Sequence, residues 1–149
     1  MPKINKNVAK IEKPLQYLTN KEAELLGFEK EGNDIPAYVY LKYYDNKYQC
    51  FSEWSTEELR QLSLFVEKLR STTWINIYKS GASLGNKAGL GYTICKNTKL
   101  LPNQSIVNSL SPDVTFFELR VSSEARVHGF RSRAAFCLIW LDRNHEIYN

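Results

Sequence analysis

The sequence predicts an α+β fold in which an antiparallel sheet of about five to six strands carries one long helix on one face, with a short N-terminal helix before it. Alternating apolar and polar residues recur toward the end of the chain, as in half-buried strands. One segment, 55–70, has the apolar spacing of an amphipathic helix instead. A chain of 149 residues is long enough for one hydrophobic core, and we expect a single domain.

The N-terminal part predicts a tail and a short helix. Residues 1–13 are rich in lysine and have no apolar period, which indicates a flexible basic tail before a domain spanning 14–149. The segment TNKEAELLGF (19–28) opens with residues that cap helices, places two glutamates in the first turn and reaches Gly27 at its end. This pattern predicts a short helix.

Residues 37–54, AYVYLKYYDNKYQCFSEW, predict a β-hairpin. Apolar and aromatic residues alternate on both sides of Asp45-Asn46-Lys47, whose residue types favour a turn. The aromatic rows are typical of cross-strand packing, and a stacking platform for bases is the alternative interpretation.

The long helix follows directly. Ser55 and Glu58 have the spacing of a capping box, and Leu59, Leu62, Val66 and Leu69 recur at helical intervals. The helix is predicted to weaken at residues 71–73, where β-branched side chains accumulate.

A glycine-rich basic loop, KSGASLGNKAGLGY, spans residues 79–92. It lacks the order of a P-loop, so nucleotide binding is not its first interpretation. The stretch from residue 79 to 99 contains no acidic residue, and a flexible basic loop of this kind can contact a phosphate backbone. Lys79 and Lys87 are therefore candidate RNA contacts.

The rest of the chain predicts the sheet. Short alternating or apolar segments read as strands and are separated by turn residues; they are YTICK (92–96), TFFELRV (115–121), ARVHGF (125–130), AAFCLIWL (134–141) and the terminal HEIY (145–148).

Both histidines and several arginines fall within these strands. We expect Arg120, Arg126 and His128 to project from adjacent strands, Arg131 and Arg133 to flank a turn, and His145 and Tyr148 to lie on the last strand. These residues could cleave RNA by attack of a ribose 2′-hydroxyl on the adjacent phosphate. That reaction uses a base, an acid and arginines that hold the phosphate. We therefore list His128, His145, Arg126 and Tyr148 as candidate catalytic residues, and Arg120, Arg131 and Arg133 as candidate RNA-binding residues.

The composition of the chain argues against several other classes of protein. No apolar run is long enough to cross a bilayer and no signal peptide is evident, so we expect a cytoplasmic protein without a membrane partner. The three cysteines, Cys50, Cys95 and Cys137, lack zinc or redox spacing and are expected to be buried free thiols. No metal or cofactor is expected. A cysteine hydrolase is disfavoured because apolar surroundings raise a thiol pKa.

The C-terminal part of the chain also resembles a known family. Leu119-Arg120-Val121, Arg126-Val127, the apolar strand 136–141 and His145-Glu146-Ile147-Tyr148 are similar to the strand motifs of the RelE/ParE superfamily of small toxins, especially its HigB-like members. The resemblance implies an endoribonuclease that cleaves free or ribosome-bound mRNA without a metal and is silenced by a cognate antitoxin. It also implies that Arg120 and Arg126 bind phosphate, that His128 or His145 acts as base or acid, and that Tyr148 stacks or donates.

A non-catalytic domain is the competing hypothesis. The net charge of +4 is compatible with a regulatory module from a mobile element or phage that binds nucleic acid or an acidic protein. The two hypotheses differ in one requirement, because an enzyme needs His128 or His145 beside an arginine cluster on one shared face.

Overall fold

The computed structural model describes residues 32–81 and 89–148. The predicted basic tail, the predicted short N-terminal helix and Lys87 lie outside the described residues. The described helices are α1 (Thr56–Arg70), α2 (Trp74–Lys79) and α3 (Gln104–Ser109), with 3₁₀ turns at Phe51–Glu53 and Thr98–Leu100. The strands are β1 (Tyr38–Tyr40), β2 (Thr93–Ile94), β3 (Phe116–Arg120), β4 (Arg126–Ser132) and β5 (Ala135–Asp142).

The strands form one five-stranded sheet in the order β1-β5-β4-β3-β2. The three pairings among β2, β3, β4 and β5 are antiparallel, whereas the edge strand β1 runs parallel to β5. The predicted α+β class is therefore confirmed, with a sheet that is mostly rather than wholly antiparallel. Among the described helices, none is long and apolar enough to cross a membrane.

The sheet has a hydrophobic core on each face. Helix α1 buries Leu62, Phe65 and Leu69 against one face. Leu59 and Val66, the other two members of the predicted apolar stripe, are exposed among the described residues. The opposite face carries Phe116, Phe130 and Trp140 and is covered by the segment around α3 and by the end of the chain. Because β5 lies between the two cores, all eight of its residues are buried, which explains its continuous apolar sequence.

The predicted capping box of α1 is confirmed. The Ser55 hydroxyl accepts from the Glu58 amide, and the Glu58 carboxylate accepts from the Ser55 amide. Glu58 also accepts two hydrogen bonds from the Arg143 guanidinium, at 2.8 and 2.9 Å. The guanidinium of Arg143, together with the capping amide of Ser55, lowers the pKa of Glu58 to about 2. The start of α1 is thus joined to the segment that follows β5.

The hairpin predicted over residues 37–54 is wrong. Only Tyr38–Tyr40 forms a strand, and the chain then wraps around the β1 edge of the sheet. Tyr43 and Tyr48 pack on the core opposite α1, whereas Tyr44 and Trp54 pack on the α1 side. The aromatic alternation therefore reflects contact with two cores on either side of an edge strand and not two paired strands.

The predicted turn at residues 45–47 does form. The Asp45 carboxylate accepts from the Lys47 amide at 3.0 Å and from the Trp140 indole at 3.1 Å, while the Asp45 amide donates to the Ile139 carbonyl at 2.9 Å. Asp45 is buried. It therefore joins the wrapping segment to β5.

The terminal strand predicted over residues 145–148 is also wrong. Residues 143–148 form a turn, because the Asp142 carboxylate accepts from the amides of Glu146 and Ile147 at 2.8 and 3.0 Å. His145 has a φ of 56°, a left-handed conformation that a strand does not contain. This turn folds the end of the chain back over the sheet.

Candidate functional site

Four ionisable side chains meet on the sheet face opposite α1. His145 Nε2 lies 3.2 Å from Glu118 Oε1, and His128 Nε2 lies 3.2 Å from Asp142 Oδ2. Glu118 Oε2 and His128 Nε2 are 3.6 Å apart. The side chains thus form a continuous chain in the order His145, Glu118, His128 and Asp142, which we call the His–carboxylate network.

The strand register explains this arrangement. Glu118 pairs with His128, and Arg120 pairs with Arg126, which in turn pairs with Asp142. Directly opposite residues of antiparallel strands lie on the same face, so the sheet brings all five side chains to one face near the β3–β4 turn. The turn held by Asp142 then places His145 against Glu118. His128, His145 and Arg126 therefore lie on one face of the sheet, which is the arrangement that the enzyme hypothesis requires.

The backbone of β4 is irregular at the network. The register with β5 shifts between His128 and Gly129, as in a β-bulge, a feature common near functional sites. A Cβ at Gly129 would lie 2.0 Å from the Cys137 carbonyl oxygen. Glycine is therefore required for the close approach of β4 and β5 beside His128.

Burial sets the protonation of Glu118 and His128. Removal from water raises the pKa of the Glu118 carboxyl to about 7, although the Arg126 guanidinium opposes this rise. Burial lowers the pKa of His128 despite its hydrogen bond to Asp142. The His128 side chain is only 1% exposed, and its Nδ1 is one of the buried atoms with no hydrogen-bond partner among the described residues. His128 is thus an internal support of the network without direct access to solvent.

Asp142 remains ionised at the base of the network. Burial acts to raise its pKa, but hydrogen bonds from His128 and from the amides of Glu146 and Ile147 bring the pKa below its ordinary value. Its carboxylate therefore organises both His128 and the terminal turn.

His145 is the member of the network that reaches the surface. Its side chain is 25% exposed, and burial together with the charge of Arg126 lowers its pKa. A neutral imidazole whose Nε2–H donates to Glu118 keeps Nδ1 as a proton acceptor. A histidine oriented by a carboxylate in this way has the arrangement of a general base.

Two arginines flank the network. Arg126 Nη1 donates to the carbonyls of Ser122 and Ala125, at 2.9 and 3.0 Å, so its guanidinium is held beneath the β3–β4 turn. Arg120 packs against Gly91, where a Cβ would come within 3.0 Å of the guanidinium carbon. Both arginines lower the pKa of His145 and line a cavity of about 570 Å³ next to the turn.

Tyr148 supports His128. Its ring contacts the His128 ring edge-on at 5.1 Å, and its hydroxyl donates to the Thr93 carbonyl at 3.5 Å. Burial raises the pKa of this phenol, which makes it a weak proton donor. In this structure Tyr148 packs against His128, and its catalytic role stays a prediction.

Arg131 and Arg133 flank a turn, as predicted, but they do not meet the two histidines. They lie at the β4–β5 turn, which the antiparallel register places at the other end of the sheet from Arg126. Arg131 stacks on Trp74 at 4.5 Å and donates to Tyr78 and Asn33. Lys79 is exposed at the end of α2 and takes no part in the His–carboxylate network.

Replacing Arg131 with alanine is expected to cost about 2 kcal/mol of unfolding free energy, because it removes a cation–π contact and charge-assisted hydrogen bonds. Arg60→Ala is the matched control, since Arg60 makes one exposed pair with Glu57 and such pairs contribute less than about 1 kcal/mol. Urea unfolding of both variants measures the difference. Equal midpoints would show that Arg131 is not a structural anchor.

Sequence reasoning missed the two acids of the network. Glu118 lies between Phe117 and Leu119, and this alternation predicts only that its side chain faces the polar side of a strand. An acidic residue that faces a histidine on the neighbouring strand indicates a functional site only when the strand register is known. Asp142 directly follows the predicted apolar strand, a position at which an aspartate is typical of a turn.

The cysteines differ in their surroundings: Cys95 and Cys137 are buried, whereas hydrogen bonding with Ser52 lowers the pKa of the Cys50 thiol. Burial raises the pKa of Cys95 and, to about 11, that of Cys137, as the apolar contexts predicted. All three thiols are free, but Cys50 is half-buried rather than buried. Within residues 32–81 and 89–148, no group of three or more His, Cys, Asp and Glu side chains is arranged to hold a metal ion.

The raised pKa of Glu118 gives a testable pH dependence. A carboxyl whose folded-state pKa is raised binds more protons folded than unfolded, so its contribution to stability falls as pH rises from about 4.5 to 7. His128 and His145 act in the opposite sense, because their pKa values are lowered. The contribution of Glu118 is therefore measured as the difference in unfolding free energy between a Glu118 variant and the wild type.

The unfolding free energy of Glu118→Gln minus that of the wild type is expected to increase by about 1–3 kcal/mol as the pH rises from 4.5 to 7. Denaturant unfolding of both proteins at half-unit pH steps measures this difference. A difference that stays constant with pH, or that shrinks as pH rises, would contradict the protonation assigned to Glu118.

No family model, curated protein or solved structure matches this chain. The fold and the site define the class as an α+β protein with a His–carboxylate network flanked by two arginines. The likeness to RelE/ParE toxins therefore depends on the sequence motifs alone.

Proposed function

We propose that this protein is a toxin-type endoribonuclease that cleaves mRNA by transesterification without a metal ion. The observation that carries the proposal is the 3.2 Å contact between His145 Nε2 and Glu118 Oε1 beside the guanidiniums of Arg120 and Arg126. A partly exposed base, an orienting carboxylate and fixed cations are the groups that this reaction uses.

In the proposed reaction, His145 Nδ1 takes the proton of a ribose 2′-hydroxyl. The 2′-oxygen forms a bond to the adjacent phosphorus, and the bond from phosphorus to the 5′-oxygen breaks. Water supplies the proton to the leaving 5′-oxygen, so the products carry a 2′,3′-cyclic phosphate and a 5′-hydroxyl. Arg126 and Arg120 stabilise the negative charge that grows on the phosphoryl oxygens.

The remaining members hold these groups in place. Glu118 orients the His145 ring, and His128 and Asp142 support Glu118 and the terminal turn. Arg143 joins that turn to the start of α1. A toxin of this kind needs a cognate antitoxin protein, which we propose as the physiological partner.

The test uses purified protein and a synthetic single-stranded RNA. We expect cleavage that persists in EDTA and leaves cyclic phosphate and 5′-hydroxyl ends. A matched RNA with 2′-O-methyl groups should remain intact, because it lacks the attacking hydroxyl. Cleavage that needs a divalent ion, or that proceeds on the methylated RNA, would contradict the mechanism.

A non-catalytic nucleic-acid-binding domain is the second candidate. It is favoured by the burial of His128 and by the hydrogen bonds that hold Arg126 to its own backbone turn. If the protein binds the RNA with an affinity that falls with salt and leaves it intact, this second function is the correct one.

A further inference from the structure

Helix α1 has an apolar stripe outside the face that packs on the sheet. Leu59 and Val66 are each 39% exposed, although both belong to the apolar period of the helix. They are seven residues apart, so they lie two turns apart on one flank of α1. Ser63 lies between them on the same flank and is exposed, and its small side chain permits close approach of a second helix. This spacing is typical of a helix that packs against another helix.

The stripe faces the β1 side of the sheet. Leu64 lies roughly 150° around the helix from Leu59 and Val66, and it lines the cavity together with Arg120 and Val121, on the β3 side. Leu59 and Val66 therefore project to the opposite side, where α1 contacts β1. Because β1 is the outermost strand of the described sheet, the stripe lies at the margin of that sheet.

Two exposed charges of opposite sign border the stripe. Arg60 directly follows Leu59, and Glu67 directly follows Val66. Residues that pair within a helix are three or four apart, so Arg60 and Glu67 do not form such a pair in one copy. Arg60 pairs with Glu57 at 2.7 Å, and this pair is 60% exposed on both sides. An exposed pair contributes little, so the contact between Arg60 and Glu57 does not prevent Arg60 from meeting a second carboxylate.

A second α1 that runs antiparallel complements these charges. In a two-fold contact centred near Ser63, Arg60 of each copy faces Glu67 of the other, and both attractions form together. The acidic first turn of one α1 also lies near the basic last turn of the other. A parallel contact would instead oppose like charges at both positions, which is unfavourable. The charge order of α1 therefore matches a second copy of the same helix in the antiparallel orientation.

We propose that this protein forms an antiparallel two-fold dimer through the α1 stripe of Leu59, Ser63 and Val66, with Arg60 of each copy paired to Glu67 of the other. The proposal does not depend on the nuclease function. Two faces of a 15-residue helix bury less than the about 800 Å² per partner of a standard interface, so the dimer is weak. The His–carboxylate network lies on the sheet face opposite α1, so the dimer leaves the network uncovered.

Sedimentation velocity of the full chain at concentrations up to about 1 mM measures self-association. We expect the average mass to rise from that of a monomer toward that of a dimer. Val66→Glu should abolish this rise, whereas Leu64→Glu, at an exposed position on the other flank of α1, should associate like the wild type. Circular dichroism verifies that each variant is folded. A wild type that stays monomeric throughout, or equal effects of the two substitutions, would overturn the proposal.

Charge reversal tests the antiparallel pairing. Arg60→Glu and Glu67→Arg each create two like-charge contacts in the dimer, so each is expected to raise the dissociation constant by about tenfold or more. The double variant restores both attractions and should associate like the wild type. An equimolar mixture of the two single variants should form a heterodimer at concentrations where neither associates alone. Single variants that associate like the wild type, or losses that neither the double variant nor the mixture recovers, would overturn the pairing.

Discussion

Replacing His145 with asparagine is expected to lower the rate of RNA cleavage by about 10²–10⁴-fold, the usual contribution of a general base. Asparagine is the suitable replacement because it tolerates the left-handed backbone that His145 adopts, with a φ of 56°. Its amide has no proton-accepting nitrogen, so the change removes the base without straining the turn. Single-turnover cleavage of a labelled RNA measures the rate, and circular dichroism verifies the fold.

Two matched variants support this measurement. Asn144→Ala changes the neighbouring exposed residue and should cleave at close to the wild-type rate. His128→Ala should lose stability, because the His128 side chain is buried within the network and its removal leaves a cavity and takes one hydrogen bond from the buried Asp142 carboxylate. A His145→Asn protein that cleaves as fast as wild type would remove His145 from the mechanism and would point to a contaminating nuclease.

Gly129→Ala is expected to destabilise the protein by about 3 kcal/mol or more, the upper part of the range for overpacking. The added methyl group would lie 2.0 Å from the Cys137 carbonyl oxygen and 2.9 Å from its carbonyl carbon. These are backbone atoms, so no side-chain rotation relieves the clash. The β4–β5 pairing must separate at the irregular register beside His128.

Thermal and urea unfolding measure the effect of Gly129→Ala. Ser132→Ala is the control, since Ser132 is exposed at the end of the same strand and should change stability by less than about 0.5 kcal/mol. Because the network depends on the β4–β5 pairing, the folded fraction of Gly129→Ala should also cleave RNA more slowly. A melting temperature equal to that of wild type would contradict the close approach of these strands.

Helix α1 and the β4–β5 pair were predictable because local sequence determines them. The capping box needs only Ser55 and Glu58, which are three residues apart. The turn between β4 and β5 joins strands that are neighbours in sequence, and the apolar run of β5 follows from burial on both faces. In each case the residues that decide the structure lie close together in the chain.

The hairpin prediction was wrong because long-range contacts override local alternation. Strand β1 pairs with β5, almost one hundred residues later in the chain, and this pairing leaves the residues after Tyr40 to wrap around a sheet edge. The tyrosines there pack on two different cores. A period-two pattern does not distinguish this packing from a second strand.

The sequence by itself determined the α+β class, the long helix, the central strands and the residue types available for chemistry. The tertiary structure alone decided which of those residues meet. It brought Glu118 and Asp142 into contact with the two histidines, moved Arg131 to the far end of the sheet and buried His128. These outcomes depend on strand register and burial, which arise from contacts between distant segments and are therefore not encoded in any short stretch of the chain.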